Sequence, residues 1–231
     1  MEKLFILFLL ITSLSFSQEK TIEIDYFVDY VIPSKRQTTT DTISIGFNKD
    51  GEYLWTNYNK LALDLAKSLI KNSSEDYSKA KSNIIYDTEE GSLLLTFEFN
   101  KNFIFFNLNL DSFLPFSESD ESFNLITEDI GETMKVLDRE VNIYNIFPDD
   151  KPEEILTIAT DIDYKVNNSA IFKKFFEIAF RKSGMEDNNF PQFPDGLILK
   201  IIETENTLLE AIKISDKKKT IKINYSLKIT E

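Results

Sequence analysis

Alternation of apolar and polar side chains is the feature that most constrains the fold of this chain. In the C-terminal segment, polar residues separate the apolar residues Ile221, Ile223, Tyr225, Leu227 and Ile229. Near the N-terminus, every even-numbered residue from Ile22 to Ile32 is apolar, and acidic residues lie between several of them. A period of two places successive side chains on opposite faces of a strand. The pattern therefore predicts a chain rich in half-buried β-strands.

Further strands are predicted between these two ends. They cover residues 42–47, 52–56, 83–87, 92–99, 103–110, 133–137, 141–147, 154–160, 197–204 and 207–214. Short polar turns such as Asn48-Lys49-Asp50-Gly51 and Asp149-Asp150-Lys151-Pro152 separate them, which is typical of sequential hairpins. The strands do not alternate regularly with helices, so a doubly wound parallel sheet is not favoured. We predict a curved antiparallel meander, an incomplete barrel of about 10–12 strands.

Two helices are predicted to cover this sheet, which gives an α+β fold class that is mainly antiparallel β. The first spans residues 58–71 and carries Leu61, Leu65 and Leu69 at a spacing of four. The second spans residues 169–183, with Ser169 as N-cap and Gly184 as C-terminal cap. Its apolar residues include Phe172, Phe175 and Phe176, and they cover a wider arc than packing on one sheet face requires. Residues 111–129 and 184–196 are predicted to be long loops.

The first residues have the features of a secretory signal peptide. Lys3 lies beside the N-terminal amine, eight apolar residues extend from Leu4 to Ile11, and Ser15 and Ser17 precede Gln18 as small residues of a cleavage site. The apolar run is much shorter than the roughly 20 residues of a membrane-spanning helix. We expect a cleaved signal over residues 1–17, a single β-rich domain over residues 18–231, and a periplasmic or secreted product that is not an integral membrane protein.

The residue inventory excludes several classes of site. The 231 residues include no histidine and no cysteine, so disulfides, His-containing triads, Cys nucleophiles and His/Cys zinc sites are impossible. The formal net charge of −13 argues against nucleic-acid binding, because phosphate recognition needs a basic surface. With 6 glycines, phosphate-cradling loops are not expected either. We predict that the chain is not an enzyme and has no cofactor, no metal site and no nucleic-acid partner.

Acidic and basic clusters offer the remaining polar chemistry. Asp161, Asp163 and Asn167 are spaced like part of a calcium loop, but the glycine and closing glutamate of an EF-hand are missing. Turn and capping roles are therefore predicted for them. The run Lys217-Lys218-Lys219 is predicted to keep an exposed hairpin turn soluble. A carboxylate pair for glycoside hydrolysis would have to come from Glu98, Asp111, Glu118, Asp120 and Glu121. Weak Ca²⁺ binding would have to come from the cluster of Glu118, Asp120 and Glu121.

Apolar side chains in excess of a one-sided core are the most informative feature for function. In the runs Leu93-Leu94-Leu95 and Phe103-Ile104-Phe105-Phe106, both faces of a strand are apolar. Such strands must be covered on both faces or line an apolar cavity. Dense packing without a cavity is the alternative, since interiors are normally close-packed. The candidate contacts for a hydrophobic ligand are Leu61, Leu65, Leu69, Phe106, Phe172, Phe175 and Phe176.

The order of these features resembles the LolA/LolB-like half-barrel family of exported bacterial envelope proteins. Residues 131–137, the strand from Val141 to Tyr144, Ala159-Thr160-Asp161 and residues 194–200 are similar to motifs of uncharacterised secreted domains related to that fold. Gly196-Leu197-Ile198-Leu199 is also similar to part of a second secreted family, named for its Gly-Leu-Pro-Gly-Leu-Ile motif. In the half-barrel family, helices cover a curved sheet that holds acyl chains. The resemblance implies a binding protein without catalytic residues.

The sequence thus favours an exported, non-enzymatic envelope protein that binds an acyl or lipid-like ligand between a curved sheet and its helices. The alternative is an envelope structural or interaction domain with a filled core, whose acidic loops meet a protein partner. A hydrolase that works with two carboxylates is a third possibility, and it requires a close pair of carboxyl groups in one cleft.

Overall fold

The computed structural model describes residues 19–33, 41–58, 81–99, 102–109, 125–173 and 192–224. These residues form thirteen β-strands and one short helix, α1, over residues 168–173. The strands are β1 Glu19–Ile24, β2 Tyr26–Ile32, β3 Asp41–Phe47, β4 Tyr53–Thr56, β5 Lys81–Asp87, β6 Ser92–Phe99, β7 Asn102–Asn109, β8 Leu125–Val136, β9 Arg139–Pro148, β10 Leu156–Asp161, β11 Leu197–Glu203, β12 Asn206–Ser215 and β13 Lys219–Asn224.

Eleven strands form one antiparallel sheet in the order β7-β6-β5-β4-β3-β2-β12-β11-β10-β9-β8. It consists of two meanders, β2 to β7 and β8 to β12, which join where β2 pairs with β12. The edge strands β7 and β8 do not pair with each other, so the curved sheet remains unclosed. The predicted antiparallel meander is therefore confirmed.

Four pairs of neighbouring strands contain register shifts, which help to explain how so wide a sheet curves. They lie in the pairs β8/β9, β10/β11, β11/β12 and β12/β2. In β8 the shift falls between Asp129 and Thr133 and includes Gly131, whose φ is 67°. A bulge adds residues to one strand only, so that strand bends and its local twist increases.

The remaining two strands, β1 and β13, pair antiparallel in a small sheet of their own, which we call the ribbon. Asp25 separates β1 from β2, and its N–H group donates to the carbonyl oxygen of Phe47 over 2.8 Å. The ribbon packs against β4, β5 and β6, because its four buried isoleucines belong to one apolar cluster with residues of those strands. That cluster contains Ile22, Ile24, Trp55, Ile85, Leu94, Ile221 and Ile223.

Gly46 of β3 lies where β1 crosses the sheet. A Cβ atom at this position would be 2.6 Å from Ile24 and 2.8 Å from the ring of Phe27. Phe27 in turn meets Trp55 edge-to-face, with ring centroids 5.4 Å apart. The absence of a side chain at Gly46 therefore makes room for the corner between the ribbon and the sheet.

The prediction of two covering helices is not confirmed. The first predicted helix falls almost wholly on residues 59–80, which lie outside the described residues. Of the second, the structure describes α1 alone, and the predicted N-cap is wrong. Asn167 is the cap, because its Oδ1 accepts the N–H of Ala170 over 2.9 Å, whereas the Oγ of Ser169 bonds the backbone of Phe193. Gly184 also lies outside the described residues.

Two other predictions are corrected by the strand pairing. Residues 125–129, predicted to be loop, belong to the edge strand β8. The run Lys217-Lys218-Lys219 does not form a hairpin turn, because β12 pairs with β2 and β13 pairs with β1. The chain at this run instead leaves the main sheet and enters the ribbon.

Candidate functional site

Strands β6 and β7 are apolar on both faces, as the sequence predicts, and β5 likewise contributes Ile84 and Ile85 to different apolar clusters. Adjacent residues of β6 belong to different apolar clusters: Leu94 packs with the ribbon, and Leu95 packs on the other side. Both side chains are fully buried. In β7, Phe105 and Phe106 divide between the same two clusters. The ribbon therefore accounts for one apolar layer, and a second layer lies opposite.

The second layer, which we call the apolar face of β5–β7, is built from three neighbouring strands. Its buried residues are Ile84, Leu95 and Phe97, and its half-buried residues are Leu93, Phe106 and Leu108. The rings of Phe97 and Phe106 meet edge-to-face with centroids 6.2 Å apart. All six side chains come from β5, β6 or β7, so the described members of this cluster include none from a facing element.

The structure places two of the seven predicted ligand contacts. Phe106 lies on the apolar face of β5–β7, whereas Phe172 of α1 packs in a separate cluster with Ile146, Ile158 and Phe193. Phe172 is stacked on Phe193 at a centroid distance of 4.3 Å. The two predicted contacts thus belong to opposite halves of the sheet. The other five, Leu61, Leu65, Leu69, Phe175 and Phe176, lie outside the described residues.

An open groove of about 480 Å³ lies on a different part of the molecule. It runs beside the segment that links β10 to α1, at the turn between β3 and β4. Its lining residues are Asp50, Tyr144, Ile162, Tyr164, Lys165, Val166, Asn167, Asp195 and Gly196. Neither Phe106 nor Phe172, the two predicted ligand contacts among the described residues, belongs to this set, and Ile162 is 61% exposed.

Close backbone contacts hold the wall of this groove. The turn at Gly51 lies against the carbonyl oxygen of Lys165, which is 2.2 Å from the position a Cβ atom would take. On the other side, the N–H of Gly196 donates to the carbonyl oxygen of Val166 over 2.9 Å. Gly51 and Gly196 both have positive φ, 77° and 115°. Glycine is the residue that adopts such backbone conformations without strain.

Asp161, which precedes the groove residue Ile162, interacts with Arg139 and with the backbone of Asp163. Its carboxylate accepts Nη1 of Arg139 over 2.8 Å and the N–H of Asp163 over 3.1 Å, and the side chain is 8% exposed. The hydrogen bond to this carboxylate raises the pKa of Arg139. The guanidinium also lies 5.3 Å from the ring centroid of Tyr164, whose own pKa is raised by burial.

These contacts confirm the turn and capping roles predicted for the calcium-like segment. Asp161 forms the turn with Asp163, and Asn167 caps α1. Across the described ranges, no three acidic side chains cluster in a way that could hold a metal ion. Of the carboxylates considered for hydrolysis, Glu98 is exposed on β6, and Asp111, Glu118, Asp120 and Glu121 lie outside the described residues.

Sequence reasoning missed one polar cluster at the edge of the ribbon. Nζ of Lys219 lies 3.7 Å from the ring centroid of Trp55 and 3.0 Å from Oδ1 of Asn83. The same oxygen accepts the indole N–H of Trp55 over 2.9 Å, and the amide of Asn83 donates to Thr96 over 3.0 Å. The alternation in these strands places Trp55 and Asn83 on a face, but it does not show that β13 lies over that face.

Comparison of the sequence with models of protein families and with curated protein sequences gives no significant match. In the part of the chain that the structure describes, no helix combines the length and the apolar character of a membrane span. The features of the described residues that bear on function are the two apolar layers of β5–β7, the open groove and the Lys219 cluster.

Proposed function

We propose that this chain is an exported, non-enzymatic protein that binds an acyl or lipid-like ligand on the apolar face of β5–β7. The observation that carries the proposal is the two-sided burial of β6. The ribbon packs on one side. On the opposite side, the buried Ile84, Leu95 and Phe97 and the half-buried Leu93, Phe106 and Leu108 all come from three adjacent strands. An aliphatic chain is the ligand that such a surface accommodates without unpaired polar groups.

The size of the hydrophobic effect supports this ligand class and sets the chain length that it requires. Each buried methylene contributes roughly 0.8 kcal/mol, whereas association costs on the order of 4–15 kcal/mol of lost translational and rotational freedom. A chain of about ten or more buried methylenes is therefore needed to offset that cost. Short apolar ligands should bind weakly, and long acyl chains should bind best.

Export and the absence of catalysis are proposed from the sequence. Residues 1–17 are proposed to direct export, and the product is proposed to be periplasmic or secreted. Without histidine or cysteine, a catalytic role would have to rest on carboxylates, tyrosines, serines or lysines. In the described residues, Asp161, the buried carboxylate next to Ile162 of the groove, is already paired with Arg139. Binding without chemistry is therefore the function we propose.

Titration with a fluorescent long-chain fatty acid tests the ligand and its position together. We expect Phe106→Ala to weaken binding about tenfold, because the ring is part of the proposed surface. Phe172→Ala is the matched control, since Phe172 is a half-buried phenylalanine of a different cluster. Its affinity should change less than about twofold, and thermal unfolding should show that both variants are folded. Equal effects of the two changes would contradict the proposed position.

A structural or interaction domain with a filled core is the second candidate. It is favoured by the groove, an open cavity of the described residues that neither Phe106 nor Phe172 lines. This candidate predicts that a defined envelope protein is recovered with the wild type and is lost when residues 111–124, which precede β8, are shortened. No fatty-acid binding should then be measurable.

A further inference from the structure

Two lysines of the ribbon lie over neighbouring aromatic rings of β4. Lys20 of β1 is 5.2 Å from the ring centroid of Tyr53, and Lys219 of β13 is 3.7 Å from that of Trp55. Lys20 pairs with Ile223 and Lys219 with Ile24, so the two lysines stand at opposite ends of the ribbon. The two surroundings are similar in geometry but differ in charge.

Lys20 has acidic partners. Its Nζ lies 2.8 Å from Oδ2 of Asp87, which is 2% exposed, and 3.7 Å from Glu90. Burial lowers the pKa of Lys20, but the hydrogen bonds and charge of Asp87, together with Tyr53, outweigh burial and raise it overall. Lys200, with a similar side-chain exposure of 22%, is likewise paired, with Glu210 over 3.0 Å.

Lys219 has a neutral amide where Lys20 has a carboxylate. Its hydrogen-bond acceptor is Oδ1 of Asn83, which already accepts the indole N–H of Trp55. Burial lowers the pKa of Lys219, and no acidic group among the described residues opposes that effect. Within the described ranges, this half-buried cation therefore has no acidic side chain beside it, in a chain whose net charge is −13. An unpaired charge that has lost part of its hydration is costly.

An external anion would remove this imbalance. An ammonium group has three donors, and Asn83 accepts one of them. We propose that Lys219, Asn83 and Trp55 form an anion-binding site that takes a carboxylate group. A single positive charge beside apolar rings matches a monoanion better than a phosphate dianion, which would leave a net negative charge partly desolvated. The carboxylate could belong to a small organic acid or to the head of a fatty acid.

This site is independent of the proposed acyl surface, because Trp55 belongs to the ribbon cluster and not to the apolar face of β5–β7. Trp55 is the one tryptophan of the sequence. Its fluorescence therefore reports on the Lys219 site without contributions from other indoles. The two proposals can fail separately.

The experiment is a fluorescence titration of the full-length mature protein with acetate and with decanoate, against chloride at constant ionic strength. We expect a saturable change in Trp55 emission in the wild type. Lys219→Met should abolish it by removing the charge. Asn83→Asp should also abolish it, because the new carboxylate would fill the site from within. Lys217→Met, an exposed lysine in the same connection, should leave the change intact.

The arms of the titration distinguish the two sources of carboxylate. Decanoate binding at least tenfold more tightly than acetate would identify the head of an amphiphile, and equal binding would identify a small organic acid. The inference is overturned if neither ligand gives a saturable change, or if Lys219→Met binds like the wild type. If Lys219→Met does not fold, Asn83→Asp carries the test, and an unchanged response in that variant overturns it equally.

Discussion

The side-chain amide of Asn168 donates to the carbonyl oxygen of Gly196 over 2.8 Å and also to that of Pro194 over 2.6 Å. Asn168 is 3% exposed and lies at the start of α1. This pair of bonds joins the helix to the segment before β11. Because Gly196 also bonds Val166, the same contacts hold one wall of the groove.

Replacing Asn168 by alanine should destabilise the fold by about 2–4 kcal/mol. The change removes two buried hydrogen bonds and leaves two carbonyl groups without those partners. Asn167→Ala is the matched control, because Asn167 is exposed and its loss as a cap costs about 1 kcal/mol. Urea unfolding measures both. A cost at Asn168 no larger than that at Asn167 would show that the two carbonyls find other partners.

Alanine variants at Gly51 and Gly131 distinguish the steric cost of an added Cβ atom from the cost of backbone strain. Both have positive φ, 77° and 67°. A Cβ atom at Gly51 would lie 2.2 Å from the carbonyl oxygen of Lys165, whereas at Gly131 it would meet nothing within 4 Å. Gly131→Ala should therefore cost about 1 kcal/mol of backbone strain. Gly51→Ala should cost at least about 2 kcal/mol more, because the groove wall has to move. Similar unfolding free energies for the two variants would contradict this account.

The alternation in the sequence is sufficient to predict the strands but not their partners. Ile22, Ile24, Ile221 and Ile223 are all buried, as a period of two requires. Periodicity assigns a side chain to a face, but it does not show which strand lies alongside or over that face. For this reason the alternation does not predict the ribbon, and the hairpin turn that it predicts at the lysine run is wrong. The cluster around Lys219 was missed for the same reason.

The edge strand β8 shows why the alternation of apolar residues does not predict every strand. Residues 125–129 are in a strand although Glu128 and Asp129 are exposed there. Edge strands often carry charge, which discourages pairing with another chain, and this weakens the apolar alternation.

The two-sided burial of β6 can be predicted from the sequence, because three consecutive leucines leave no polar face. The ring contact between Phe97 and Phe106 cannot, since it depends on the register of β6 and β7.

The hairpin between β8 and β9 offers a stabilising change. Val136 pairs with Arg139, and the two residues between them, Leu137 and Asp138, have φ of 50° and 62°. Two positive φ angles define a type I′ turn, which favours glycine at its second position. Asp138→Gly should raise the unfolding free energy by about 0.5–1 kcal/mol. The pair with Lys135 is highly exposed, so its loss should cost little. A lower urea midpoint would contradict the expectation.

The carboxylate of Asp25 should make the stability of the fold depend on pH in the acid range. The N–H of Lys49 donates to its carboxylate over 2.8 Å, and Lys218 lies 3.2 Å away. The backbone bond from Lys49, followed by the interaction with Lys218, lowers the pKa of Asp25 below its ordinary value of 3.8. A lowered folded-state pKa stabilises the fold above the unfolded-state value, and that contribution is lost as pH falls through the folded-state value.

Asp25→Asn tests this dependence. At pH 7 the variant should be less stable than the wild type by about 1 kcal/mol, since a charge-assisted bond becomes a neutral one. The difference should shrink as the pH falls below about 4, and it is followed by urea unfolding across the acid range. A difference that stays constant down to pH 2 would show that the charge of Asp25 is not responsible.

The central claim is that the apolar face of β5–β7 holds an acyl chain, and native mass spectrometry of the gently purified mature protein tests it most directly. We expect the wild type to carry additional mass in the range of a fatty acid or lipid, removed by delipidation and restored by adding a long-chain fatty acid. Phe106→Ala should carry less of it, and Phe172→Ala as much as the wild type. A clean apo mass that adding a long-chain fatty acid does not change would contradict the claim.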